Sequence, residues 1–130
     1  MVANASRVWA VIEQTWRDDA AENGRWPGAY AAENFVAWSE STPMPRNIEK
    51  YTAWERAAEK DSDTVWYEIT PLAIAVQGDT AVVMYSLFLG EQDKDGTRTL
   101  TALNLVEVLN RDDDTWKFVA TTNFTPDYDN

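Results

Sequence analysis

Cysteine and histidine are both absent from these 130 residues. Without cysteine there can be no disulfide, thiolate nucleophile or cysteine metal site, and nothing hints at an oxidising compartment. The missing histidine excludes more. It is the side chain that titrates near neutral pH without help. Its absence removes Ser-His and Cys-His nucleophile pairs and every histidine-ligated zinc or iron site. Any acid-base work falls to a carboxylate, tyrosine or lysine with a shifted pKa. No apolar run approaches the roughly 18 residues that span a bilayer. The start, Met1 to Arg7, lacks a basic segment leading into a long apolar one. No secretory leader is expected, and the expected location is the cytoplasm. Positive charge is scarce too. Eleven Lys and Arg are scattered among 22 Asp and Glu, for a net charge of −11. Phosphate backbones and anionic lipid are bound by basic side chains, so neither nucleic acid nor a membrane is an expected partner. The acidity is read as solubilising.

What is present is the length of one domain and an excess of large aromatic residues. A chain of 130 residues buries roughly two thirds of its unfolded surface and can hold a core without staples. Seven Trp and five Tyr serve that core, or line a cavity, since ligand pockets are often aromatic-walled.

The first half reads as helical. From Ala5 to Ala21, Ala5, Val8, Trp9, Ile12 and Trp16 fall on one stripe, with Arg7, Glu13, Arg17 and Asp18 off it. Asn4 or Ser6 can cap the start, and Asn23-Gly24 stops the helix. Trp26 to Ala32 is a short helical turn or a loop, with Pro27 suited to a first helical position. Asn34 to Ser39 is a short strand. Ser41-Thr42-Pro43-Met44-Pro45 is a rigid connector. A second helix is expected over Arg46 to Lys60, with Ile48, Tyr51, Trp54 or Glu55, and Ala58 on its buried side.

Beyond Asp61 the period changes to two. Strands are predicted over Thr64 to Val76, Thr80 to Leu89, Arg98 to Asn110 and Thr115 to Phe124. Gln77-Gly78-Asp79 and Lys94-Asp95-Gly96 read as hairpin turns, and Arg111 to Asp114 as a polar loop. Strands joined so tightly must be antiparallel. Pro71 cannot donate to a ladder, so an edge or a bulge is expected there. The tail from Thr125 to Asn130 is expected to be mobile. The sum is one α+β domain over residues 1–130. Two to three N-terminal helices pack on a strongly curved antiparallel sheet, forming a cone whose open end is a natural pocket.

This order of elements resembles the NTF2-like superfamily, which includes ketosteroid isomerase and SnoaL-type polyketide cyclases. Phe35-Val36-Ala37-Trp38 with Pro43-Met44-Pro45-Arg46 is similar to the family's first strand and the entry to its next helix. Gly78-Asp79-Thr80-Ala81-Val82-Val83 resembles its recurrent turn and strand. Asp112 to Val119, an acidic turn before Trp116-Lys117-Phe118-Val119, resembles its final hairpin. The resemblance implies the cone fold and pairing through the outer sheet face. It also exposes departures. Related domains often carry Arg twelve residues before the hairpin Trp, where this chain has Asn104. They often carry His four and six residues after it, where this chain has Ala120 and Thr122. The isomerases place an acidic base near the end of the first strand, and Glu40 is the nearest carboxylate here.

The candidate catalytic residues are therefore Glu40, Glu107 and Glu68, in that order. Glu107 and Glu68 sit inside strands, where an apolar cavity would raise a carboxyl pKa. On the solvent side of the sheet, or paired with Arg98 or Lys117, they would be structural only. Tyr67 or Tyr85 could donate to a developing oxyanion. Trp9, Trp16, Trp38, Tyr67, Tyr85 and Trp116 are candidate cavity walls, with Asn104 and Thr122 supplying hydrogen bonds to a ligand. Asp93-Lys94-Asp95-Gly96 resembles half of a calcium loop, but the other ligands are missing, so it is read as a turn. Asp18-Asp19 and Asp112 to Asp114 are read as solvated charge runs. No metal and no cofactor are expected. The functional expectation is a domain that binds a small apolar or aromatic molecule. The alternatives are a carboxylate-dependent isomerase, dehydratase or cyclase, or a scaffold without ligand. A homodimer is expected, because Val82, Val106 and Val108 on one strand face and Ala81, Val83 and Leu105 on the other leave neither face purely polar.

Overall fold

The computed structural model describes residues 3–127. Of the expected mobile tail, residues 128–130 lie outside the described residues, as do Met1 and Val2 at the start. Helix α1 spans Asn4–Ala20, β1 Ala31–Ser39, β2 Arg46–Asn47, α2 Ile48–Asp61, β3 Ser62–Gln77, β4 Thr80–Asp93, β5 Arg98–Asp112 and β6 Thr115–Phe124. Two helices pack on one six-stranded sheet of order β2-β1-β6-β5-β4-β3. No helix among the described residues is long and apolar enough to cross a membrane.

The sheet is mixed rather than purely antiparallel. β1 runs parallel to β6, with Val36 opposite Ala120 and Ser39 opposite Asn123. The last strand thus lies between the first strand and β5. That pairing also explains why β1 begins at Ala31, earlier than its own composition suggests. The Phe118 N–H donates to the Tyr30 carbonyl at 2.9 Å and draws the chain into the ladder. Residues 26–30 form a turn instead of a third helix. Its Tyr30 and Ala31 N–H groups both donate to the Pro27 carbonyl.

Helix α1 starts without a side-chain cap at Ala3. Asn4 instead accepts from Arg111 Nη1 at 3.4 Å, a contact between distant parts of the chain that local pattern cannot show. α2 is capped by Asn47, whose Oδ1 accepts from the Lys50 N–H at 2.9 Å. The long strands are joined as tight hairpins. Asp113 and Asp114 both take positive φ, 50° and 64°, the signature of a primed two-residue turn. Pro71 lies on the edge strand β3, and the register shifts between Pro71 and Ala73. A second shift falls between Val108 and Leu109, against β6. Such shifts increase local twist and bend a long strand around its contents.

The core alternates as a half-buried sheet should. Ala81, Val83, Tyr85 and Leu87 of β4 are buried together with Leu105, Leu109, Phe118, Phe35 and Trp116, and α1 adds Val8 and Ile12. Helix α2 contributes no fully buried residue. It leans on the wide end of the cone through Tyr51, Trp26 and Phe35. The Trp26 and Tyr51 rings meet edge-on at 6.2 Å and the Phe35 and Tyr51 rings at 5.4 Å. The space left beneath it is the cavity.

Candidate functional site

Residues of all six strands and the facing sides of both helices line a cavity of about 300 Å³. α1 presents Thr15, Trp16 and Asp19. α2 presents Tyr51, Trp54, Glu55 and Ala58. Strands β4, β5 and β6 supply Tyr85, Leu87, Leu89 and Glu91, then Leu103, Leu105 and Glu107, then Thr121 and Asn123. The period of two places these side chains on one face.

Glu107 is the buried carboxyl of this cavity, 3% exposed. Tyr85 Oη donates to its Oε1 at 2.5 Å and Thr121 Oγ1 to its Oε2 at 2.8 Å. The indole Nε1 of Trp16 donates to Tyr85 Oη at 3.0 Å, completing a chain from α1 through β4 to β5. Burial raises the Glu107 pKa to about 7, although the hydrogen bonds from Tyr85 and Thr121 pull it back. At neutral pH it therefore divides between acid and base forms. Burial, and then the charge of Glu107, push the Tyr85 phenol well above its ordinary range, so it stays a donor.

A second acidic group sits on the helical side of the same space. Carboxylate oxygens of Asp19, Glu55 and Glu59 lie within 4.8 Å of one another. Burial raises Asp19 to about 6, against a hydrogen bond with Glu55. Burial and the Asp19 charge raise Glu55 to about 8. Tyr51 Oη donates to Glu55 Oε1 at 3.0 Å, and Trp26 Nε1 donates to Tyr51 Oη at 3.3 Å. Glu59 is paired with Arg56 at 2.6 Å. Among the lining residues stand four carboxylates, Asp19, Glu55, Glu91 and Glu107, and a single basic side chain, Arg46. Its guanidinium lies over the Trp54 ring, 5.1 Å from the centroid.

Of the residues singled out from the sequence, Glu107, Tyr85, Trp16 and Trp38 line this cavity. Trp38 also stands half in solvent and donates through Nε1 to the Thr42 carbonyl. Trp9 and Tyr67 form the layer behind. Trp9 meets Tyr85 edge-on at 5.5 Å, and Tyr67 lies against Trp16 at 5.8 Å. Trp116 is buried outside the lining, with the Arg111 guanidinium 5.5 Å from its ring centroid. Asn104 pairs with Ser86 and Phe124, and Thr122 with Val106. Both point to the sheet face opposite the lining residues beside them. Glu68 is exposed on β3, opposite Phe88 of β4. Glu40 follows β1 and accepts from the backbone and hydroxyl of Thr125. In the turn after β4, Asp93 and Asp95 accept from the N–H groups of Asp95 and Thr97, an Asx arrangement that holds the hairpin.

Asp19, Glu55, Tyr51 and Thr121 were not singled out as site residues. Glu55 carried a signal, since a carboxylate shares the helical stripe of Ile48, Tyr51 and Ala58. Asp19 carried none, because its neighbour Asp18 belongs to a different environment. Asp18 accepts from Tyr30, from Asn23 at 2.9 Å and from Arg25 at 3.3 Å.

An open, bent sheet wrapped over two helices around an aromatic-lined cavity is an α+β cone. The chain has the NTF2-like fold. No family model matches it, and no curated protein does. An NTF2-like protein from Cytophaga hutchinsonii superimposes with a TM-score of 0.82 at 11% identity, over 96% of this chain and 100% of the other. A putative Ca/calmodulin-dependent kinase II association domain from Exiguobacterium sibiricum gives 0.80 at 11% identity, over 98% of each chain. The association domain of C. elegans CaMKII gives 0.70 at 14% identity, over 92% and 94%.

Proposed function

We propose that this protein binds a small, mostly apolar or aromatic molecule in the cone. The observation that carries the reading is the cavity itself, open at one side and walled by Trp16, Trp26, Tyr51, Trp54 and Tyr85 around the buried Glu107. Its volume lies at the small end of ligand pockets, which suits a one- or two-ring compound. A ligand that binds only the folded state stabilises it by mass action. At 100 times its Kd the gain is about 2.7 kcal/mol. Melting the protein against a panel of one- and two-ring neutral aromatics is expected to show saturable upward shifts. Ala58→Trp, which fills the cavity from α2, is expected to abolish them. Indifference to the whole panel would favour a scaffold without ligand.

A second reading has a specific observation behind it. Glu107 holds a pKa near the operating pH, and Tyr85 is a fixed donor beside it. That is the equipment of a carboxylate-dependent isomerase, dehydratase or cyclase. In this reading Glu107 moves the proton, and Tyr85, donating to it, holds the carboxyl in place.

Self-association belongs to the same proposal. The sheet face turned away from the cavity exposes Met84 and Phe88 of β4, Leu100 of β5, Trp66 of β3 and Val36 of β1. Two proteins of the same fold are association domains of Ca/calmodulin-dependent kinase II type. A two-fold contact through this face pairs each patch with itself. Light scattering at micromolar concentration is expected to give twice the chain mass, and Phe88→Lys to halve it. A monomeric wild type would end the dimer reading.

A further inference from the structure

The lining carries four carboxylates against one arginine, and that arginine is already stacked on Trp54. A neutral apolar ligand would leave this imbalance in place beneath it. An anionic ligand would make it worse. A cation would relieve it, and the walls suit one, because Trp and Tyr faces attract positive charge through their quadrupoles. The carboxylates also lie on both sides of the space. Glu107 is on β5 with its Tyr85 and Thr121 partners, and Asp19 and Glu55 are on the helices. We infer that the cavity takes a lipophilic organic cation, a protonated amine carried on an aromatic or alicyclic body. The inference rests on the pocket reading above and names the class of its ligand.

The ammonium is best met at the helical side. There Glu55 faces Asp19 from α1 and Glu91 from β4, with Tyr51, Arg56 and Glu59 on its own helix and Arg46 on β2. Arg56 is held by Glu59 and by the carbonyls of Gly24 and Trp26, and its charge offsets only part of the upward shift at Asp19. Before a ligand binds, at pH 7, Glu55 keeps its proton and Asp19 accepts a hydrogen bond from it. An arriving R–NH₃⁺ stabilises both carboxylates. Glu55 then releases its proton to solvent while the amine keeps all of its own. Binding is therefore coupled to release of up to one proton between about pH 6 and pH 8. The net charge of −11 adds a long-range attraction for cations.

The test uses the full chain and three matched probes on one indole body: tryptamine, tryptophol and indole-3-propionate. At pH 7 tryptamine is expected to bind one to one, at least about tenfold tighter than tryptophol, with indole-3-propionate weakest. Calorimetric heats for tryptamine should vary with the ionisation enthalpy of the buffer, reporting proton release. Glu55→Gln should abolish that dependence and most of the preference while leaving tryptophol affinity within threefold. If tryptophol binds as tightly as tryptamine, the cation inference fails and the pocket reading stands. If no probe binds, both fail. Tryptamine binding that survives both Glu55→Gln and Ala58→Trp lies on the acidic surface and overturns the inference. So does stabilisation by Mg²⁺ or Ca²⁺ alone with none by tryptamine.

Discussion

Glu107→Gln is expected to make this protein more stable at pH 8 and to leave its stability unchanged at pH 4. Glu107 has an ordinary pKa of 4.5 and a folded value of about 7. Below 4.5 the folded and unfolded chains both hold the proton, and the side chain is neutral in each. As pH rises from 4.5 toward 7 the unfolded chain gives up the proton and the folded one keeps it, so stability is lost. Above 7 the loss levels off. Each pKa unit is worth about 1.4 kcal/mol, which makes the full difference on the order of 3 kcal/mol. For a chain of this size that is roughly 10 °C in Tm. Gln never ionises. Its carbonyl can accept from Tyr85 Oη, and its amide can donate to Thr121 Oγ1, so the geometry of the neutral acid survives. Asp19 and Glu55 are raised as well, so the variant should flatten only part of the wild-type decline. Parallel wild-type and variant curves from pH 4 to 8 would show that Glu107 is not the buried carboxyl described here. A residue that lowers stability at neutral pH is an expected mark of a working site. Should turnover be found, the same substitution should reduce it about 10²-fold or more.

Trp26→Ala carries the other large effect. The Trp26 ring meets Phe118 at 5.0 Å, Tyr51 at 6.2 Å and Phe35 at 6.3 Å, and its Nε1 donates to Tyr51. It is 8% exposed. Truncating a buried Trp typically costs about 3–5 kcal/mol. Here the damage should be uneven. α2 has no fully buried residue of its own, so its hold on the sheet runs through the Tyr51, Trp26 and Phe35 rings. Hydrogen exchange should therefore show α2 amides losing protection well before those of α1 or β4. A cost below about 1 kcal/mol, with α2 protection intact, would contradict the role assigned to this ring.

Local pattern was enough wherever the deciding contacts are local. The period of two over Ala81 to Leu87 marked β4, and the Val8-Ile12-Trp16 stripe marked α1. Pro71 marked a register shift because a proline cannot donate wherever it stands. Nonlocal contacts were not legible. Nothing within residues 31–33 tells that Tyr30 will meet Phe118. Alternation shows that Leu103, Leu105 and Glu107 share a face, but not that this face is the inner one. The same parity put Asn104 and Thr122 outward. Glu55 leaves a trace in the sequence, as a carboxylate on an apolar helical stripe. Asp19 leaves none, since only the tertiary fold separates it from Asp18.

The parallel pairing of β1 with β6 has a consequence for synthesis on the ribosome. β1 is made well before its ladder partner, since β3, β4 and β5 all lie between them in the chain. Until Thr115–Phe124 is available, β1 holds only the two-residue β2 as a partner, and α1 has an incomplete sheet beneath it. The β3-β4-β5 hairpins can close as they appear, because their contacts are near in sequence. The nascent chain therefore carries a finished meander and an apolar strand, Phe35-Val36-Ala37-Trp38, with one edge still open, at the same time. That interval, rather than the finished domain, is when this protein is most open to wrong pairing and to chaperone capture.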